Sequence, residues 1–314
     1  MNQELHYAEL PNGETLCYVE KGEGFPILVI HGNYGSIFGM LDFLDEAPKG
    51  YRTIIPDLRG FGRSTYNHPI STIKELSDDL ILFCRKIGVK EAVVVGHSLG
   101  GAVAMQFAAD ARDITKKLIL IAPSSVYGYP LFKKGPDGGF LPFKDMNDMM
   151  TADDDTARAI AMTVNVLKSQ NFDLYVKILG GLGAHEGEPT EFFKEFVREA
   201  MMQKDLLADD WALTTWNITD KPSLYGMGTN QAKDIDMPTL LFTAGNDAFV
   251  LPFMSRANID ALSGNPQFQH IHYKECTHMI YSANECDQKE RFFKDYRSYI
   301  ETGKPASKSD SFQF

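Results

Sequence analysis

Ala92-Val93-Val94-Val95-Gly96-His97-Ser98-Leu99-Gly100-Gly101 is the stretch on which the fold turns. Its four leading apolar residues, three of them valine, read as a strand buried on both faces. The alanine-rich run Gly101–Ala109 reads as a helix. A chain that leaves a strand and enters a helix within so few residues must hold the central serine in a strained conformation. Bulky side chains two positions to either side would then clash, and Gly96 and Gly100 carry none. Such a turn lifts the Ser98 hydroxyl above the end of a sheet, beside a helix N-terminus whose free N–H groups favour negative charge. A glycine-rich turn capped by serine shares this composition. The strand before and the helix after match instead the G-x-S-x-G nucleophile elbow in the context that motif requires.

Working outward, more strand-like runs appear. Residues 5–10 alternate, Pro11-Asn12-Gly13 turns the chain, and Thr15–Val19 returns it as a hairpin. Pro26–Ile30, Arg52–Pro56, Leu118–Ala122, Thr239–Ala244 and Phe268–Lys274 follow. Ser71–Ile87 carries Ile73, Leu76, Leu80, Phe83, Cys84 and Ile87 near a 3.6-residue period and reads as a helix. Strands that alternate with helices imply right-handed crossovers and a mostly parallel central sheet flanked by helices, the α/β class. The alternation stops at Pro123. Ser124–Met237 shows no buried strand, and Asp153–Leu167, Glu191–Met202 and Ala208–Trp216 are its best helices. A structureless loop that long does not belong inside a compact domain, so residues 124–237 are expected to form an inserted helical cap on a core of residues 1–123 and 238–314. Thirteen aromatics and seven methionines fall within Ser124–Asp236, enough for the cap's own core and for one wall of a small-molecule pocket. The polar Thr302–Phe314 is expected to fray.

The 314 residues carry 31 Lys and Arg against 42 Asp and Glu, a formal charge of −11 with no basic patch. Nucleic acid and anionic membranes are therefore not expected partners. No apolar run approaches the ~20 residues of a membrane span, and the opening MNQELHYAEL lacks a signal-peptide pattern. Cys17, Cys84, Cys276 and Cys286 have no C-x-x-C spacing, which predicts no metal and four reduced thiols in a cytoplasmic protein.

A serine hydroxyl is a weak nucleophile that needs a base, and the base needs an orienting acid. In this kind of elbow they follow the serine in the order acid, then histidine. Of the four histidines after Ser98, His185 lies in the insertion, while His270 and His272 share one face of a strand. His278, in the loop just past that strand, is the expected base. Asp247, at the carboxyl end of Thr239–Ala244 and 31 residues before His278, is the expected acid; Pro123-Ser124-Ser125 offers no carboxylate in the rival position. An oxyanion hole would use the N–H groups of Leu99 and of Asn33, in the loop His31-Gly32-Asn33-Tyr34-Gly35, with Tyr34 as the lesser second donor. His31 is expected to be structural.

His31-Gly32-Asn33, Asp57-Leu58-Arg59-Gly60-Phe61-Gly62-Arg63-Ser64, the elbow, Gly245-Asn246-Asp247 and His278 together resemble the α/β-hydrolase superfamily, in its single-chain, helical-cap branch, over residues 5–301. The resemblance implies the α/β-hydrolase fold with an inserted helical cap, a structural turn at Asp57–Ser64, and a serine hydrolase acting on a small, largely hydrophobic ester or lactone without cofactor or metal, as a monomer or homodimer. Thr277 departs from the glycine that relatives often carry before the histidine. Epoxide hydrolases and dehalogenases of the superfamily use an aspartate at the elbow, against Ser98 here. Carbon–carbon bond hydrolysis or cofactor-free perhydrolysis by the same triad remain alternatives, as does a ligand-binding receptor that keeps the fold.

Overall fold

The computed structural model describes residues 3–181, 187–282 and 286–312. Eight strands form one sheet: β1 (His6–Glu9), β2 (Thr15–Gly22), β3 (Phe25–Ile30), β4 (Tyr51–Pro56), β5 (Ala92–His97), β6 (Thr115–Ile121), β7 (Thr239–Ala244) and β8 (Phe268–Tyr273). Their spatial order is β1-β2-β4-β3-β5-β6-β7-β8. β1 pairs antiparallel with β2 and β2 with β4, and every other pair is parallel. The class read from the alternating pattern is the one that forms.

Parallel strands bury both faces, and the side chains sort accordingly. Ile27, Val29, Val93 and Val95 point to one face with Phe43 and with Phe292, Tyr296 and Tyr299 of helix Lys289–Thr302. Leu28, Ile30 and Val94 point to the other, against helices Ile73–Lys86 (α1) and Leu99–Asp110 (α2). Thr72 caps α1 by accepting from the Glu75 N–H, while Glu75 reaches back to the Thr72 N–H, a capping box. The Asp57–Ser64 stretch is structural. Buried Asp57 accepts from the N–H groups of Ile37 (2.7 Å) and Arg63 (2.9 Å), and Arg59 forks onto Asp79 with two 2.6 Å hydrogen bonds.

Between β6 and β7 the described residues form five α-helices: Met146–Thr151 (α3), Asp155–Lys168 (α4), Phe172–Leu179 (α5), Glu191–Ala200 (α6) and Leu206–Thr215 (α7). Their inward side chains, among them Met149, Ile160, Val164, Tyr175, Leu179 and Val197, form a separate apolar cluster. The far side of α7 (Ala208, Ala212, Leu213) packs instead with the core under the sheet. Two-residue hairpins, Lys133–Lys134 with Phe140–Leu141 and Pro222–Ser223 with Gly226–Met227, lie in this region where helix and irregular chain alone were expected.

Two other expectations fail. Cys276 and Cys286 are joined in a disulfide, their Cα atoms 5.1 Å apart, because the chain turns back between the end of β8 and the last helix. Only Cys17 and Cys84 are free thiols, both buried, and burial pushes them up to about 11 and about 12. The cysteine argument for a reducing compartment loses its basis with that bridge. The described part of the C-terminal segment, up to residue 312, does not fray. Asp310 donates its N–H to His272 O (3.0 Å), Ser309 Oγ accepts from the His272 N–H (2.8 Å), and Phe312 lies against the rings of His270 and His272. The tail covers the open edge of β8, a common way to protect an edge strand. No helix among the described residues is long and apolar enough to cross a membrane.

Candidate active site

In a parallel sheet the loops after the strands gather at one end, and four of them meet there. The elbow after β5 puts Ser98 at φ 57°, ψ −121°, the strain its spacing predicts. A Cβ on Gly96 would come within 2.6 Å of the Ala104 Cβ, and one on Gly100 within 2.5 Å of the Ile30 carbonyl oxygen. Glycine is thus required at both positions by close approach. Backbone bonds pin the serine: its N–H donates to Ile121 O (3.1 Å), and its carbonyl accepts from the Ser124 N–H (3.0 Å).

The loops after β7 and β8 are tied together by the Gly245 N–H donating to Tyr273 O (3.0 Å) and the Asn246 N–H to Cys276 O (2.9 Å). This brings Asp247 beneath His278, with Asp247 Oδ2 and His278 Nδ1 2.8 Å apart. Asp247 Oδ1 accepts from the N–H groups of Phe249 and Val250, both at 2.8 Å. A carboxylate so held accepts a hydrogen bond from Nδ1–H, which keeps the proton on Nδ1 and leaves Nε2 of His278 as the free acceptor. Ser98 and His278 line one cavity of about 250 Å³. Among the described residues the Ser98 hydroxyl makes no hydrogen bond; such contacts often tighten only around substrate. Thr277 is not in a left-handed conformation, so a side chain costs nothing where relatives often carry glycine.

In the loop after β3, buried His31 holds the turn. Nδ1 donates to Gly32 O (2.9 Å), Nε2 accepts from the Leu58 N–H (3.0 Å), and burial lowers its pKa to about 4. Among the described residues the N–H groups of Asn33 and Leu99 are left unpaired, whereas that of Tyr34 donates to Asn33 Oδ1 (3.1 Å). Tyr34 therefore drops out as the alternative oxyanion donor. The other histidines stand apart. His270 and His272 share Thr243 Oγ1 at 2.8 and 2.9 Å outside the cavity, and His272 is buried. His185 lies outside the described residues. No group of three or more His, Cys, Asp or Glu able to hold a metal occurs among the described residues.

Three participants escaped the sequence reading. His97 packs on His278 with ring centroids 4.6 Å apart. Its Nε2 lies 3.2 Å from the His278 carbonyl and its Nδ1 3.3 Å from the Tyr281 hydroxyl. Burial, then the neighbouring His278, hold it well below the usual imidazole range, so a neutral ring donates to that carbonyl and accepts from Tyr281. The third is Asp210 on α7, across the cavity. Asn33 Nδ2 donates to its Oδ1 (3.0 Å), while Gln203 Nε2 bridges Asn33 Oδ1 (2.8 Å) and Asp209 Oδ2 (2.7 Å). The available signal was Leu206-Leu207-Ala208-Asp209-Asp210-Trp211-Ala212-Leu213, two adjacent acids in an otherwise apolar helix.

Burial raises Asp210 to about 7 against the opposing Asn33 bond, and burial also holds Asp209 well above the usual carboxylate range. Asp210 keeps its proton in the folded chain to higher pH than in the unfolded one. Its contribution to stability is therefore full below about pH 4 and is lost as pH rises towards 7. His31, His97 and His270, held low by burial, act in the opposite sense as pH falls, so the wild-type profile mixes both. The difference between Asp210→Asn and wild type cancels the histidines and carries Asp210 together with its like-charge effect on Asp209. It should grow in favour of the variant between pH 4.5 and 8, by on the order of 2–4 kcal/mol. Thermal denaturation at both pH values checks this, and a pH-independent difference would mean that folding does not hold the proton on Asp210.

Comparison with known proteins agrees with the fold. The family model described as alpha/beta hydrolase fold matches residues 26–284. The chain belongs to the α/β-hydrolase family. Curated relatives include a soluble epoxide hydrolase of Corynebacterium sp. (strain C12), 29% identical over 37% of this chain and 41% of that protein. Another is the AB hydrolase superfamily protein YisY of Bacillus subtilis, 29% identical over 47% of this chain and 56% of its own length. The chain thus spans about half or less of these relatives. Among solved structures, a putative aryl esterase from Burkholderia cenocepacia superposes with TM-score 0.66 at 22% identity, covering 95% of this chain and 98% of that one. A thermophilic esterase from Thermogutta terrifontis gives 0.65 at 20% identity, with the same coverage. At such identities the likeness extends to the fold of this α/β-hydrolase.

Proposed function

We propose that this α/β-hydrolase is a serine hydrolase of small, largely hydrophobic carboxylic esters or lactones. The observation that carries the reading is the strained Ser98 in one cavity with a His278 already paired to Asp247. Ser98 Oγ attacks the carbonyl carbon while His278 Nε2 takes its proton, and the free N–H groups of Asn33 and Leu99 receive the oxyanion. The protonated His278 returns its proton to the leaving alcohol. A water deprotonated by the same ring then releases the acid. Residues 124–237 act as the cap: Leu131, Ile160, Leu179 and Phe196 give the cavity an apolar wall suited to an alkyl group. The relatives named as epoxide hydrolases do not transfer their activity, because an aspartate nucleophile is expected where this chain has Ser98.

A fluorophosphonate should add once to the intact protein, visible as a single mass increment that peptide mapping places on Ser98. Absence of an adduct on folded protein would overturn the reading.

A further inference from the structure

Asp210 is not needed by the triad, yet it lines the same cavity as Ser98 and His278. Its Oδ1 is occupied by Asn33 Nδ2, and among the described residues Oδ2 has no hydrogen-bond partner. The helix that carries it is anchored below by Ala208, Ala212 and Leu213, while Asn33, itself held by Gln203, fixes the carboxyl from the side. A polar group fixed on that rigid support and left with one open oxygen in an apolar cavity is the kind of group that orients a ligand. We propose that Asp210 is a specificity-determining residue that hydrogen-bonds a hydroxyl group on the substrate, so that the preferred substrates are hydroxy-substituted esters or lactones rather than plain alkyl ones.

The chemistry favours a hydroxyl over other partners. Among the described residues no Lys or Arg lines the cavity to hold an ionised carboxylate, and burial favours the neutral acid. A hydroxyl can accept from the acid and can equally donate to the carboxylate, so it fits either state. Through its bond to Asn33, Asp210 is tied to the proposed oxyanion loop, which points to a hydroxyl near the reacting carbonyl rather than at the far end of the substrate. A plain alkyl ester would leave Oδ2 buried without a partner, and that penalty is the source of discrimination.

This inference rests on the ester-hydrolase reading, and the experiment separates the two. Rates of acid release are measured by titration for ethyl butyrate and for both enantiomers of ethyl 2- and 3-hydroxybutyrate, on wild type, Asp210→Asn and Asp210→Leu. At least one hydroxy ester should exceed ethyl butyrate in kcat/KM by about tenfold or more on wild type. Asp210→Asn, which keeps a donor and an acceptor, should retain part of that ratio, and Asp210→Leu should abolish or invert it. Equal ratios in wild type and Asp210→Leu, with both esters slowed alike, would make Asp210 only a prop for Asn33 and overturn the proposal. So would a wild type that favours ethyl butyrate over every hydroxy ester, a result that needs no folded variant. If no ester reacts while the fluorophosphonate still labels Ser98, the hydroxy-ester assignment fails and the activated serine stands. If neither occurs, both readings fall together.

Discussion

Ser98→Ala should lower kcat on the best ester substrate by about 10⁶-fold and leave a rate some 10³–10⁴ above the uncatalysed reaction. The residue of activity would come from cavity binding and from the N–H groups of Asn33 and Leu99, which the substitution does not touch. The size of the loss follows from the chemistry: without the hydroxyl no acyl-enzyme forms, and His278 is left to activate a water that the site was not shaped to hold. The fold should survive, because alanine keeps the Cβ that the elbow accommodates at φ 57°, and the pinning bonds to Ile121 and Ser124 use the backbone alone. An unchanged thermal midpoint beside the collapsed kcat is the expected pair of results. A variant that turned over at near the wild-type rate would remove Ser98 from the mechanism.

How much of this was legible follows the range of the interactions involved. The parallel sheet was readable because buried strands declare themselves as short apolar runs, and Ala92–Val95 and Thr239–Ala244 each do so over a few adjacent residues. That Ser98, Asp247 and His278 meet at one end of the sheet was readable because topology sends the ends of parallel strands to one place, so strand position stood in for distance. Contacts made by chain returning from elsewhere left no such trace. The polar composition of the tail looks like fraying, and only the exposed edge of β8 explains why Ser309, Asp310 and Phe312 settle on it. Cys276 and Cys286 carry no spacing signature, since their approach depends on how the loop after β8 turns. Asp209 and Asp210 could be seen as an oddity in an apolar helix, but Asn33 and Gln203, which give them their setting, lie elsewhere in the sequence.

Asp247→Asn should cost about 10³–10⁴-fold in kcat with little change in KM. The argument runs through the proton on His278. Asp247 Oδ2 accepts the Nδ1 proton at 2.8 Å, which leaves the Nε2 lone pair for Ser98, and Oδ1 is locked by the N–H groups of Phe249 and Val250. Those two donors require an oxygen at Oδ1, so an asparagine must present its NH₂ to His278. An amide donor there favours the tautomer with the proton on Nε2, where the ring can no longer act as base, and it withdraws the negative charge that stabilises the imidazolium in the transition state. The Asp247 side chain is not part of the cavity lining, hence the split between kcat and KM. Raising the pH should not restore the rate, because the fault is one of tautomer and charge rather than of protonation. A variant whose kcat fell less than tenfold would show that His278 takes its orientation from elsewhere, with the His97 contact to its backbone as the next group to test.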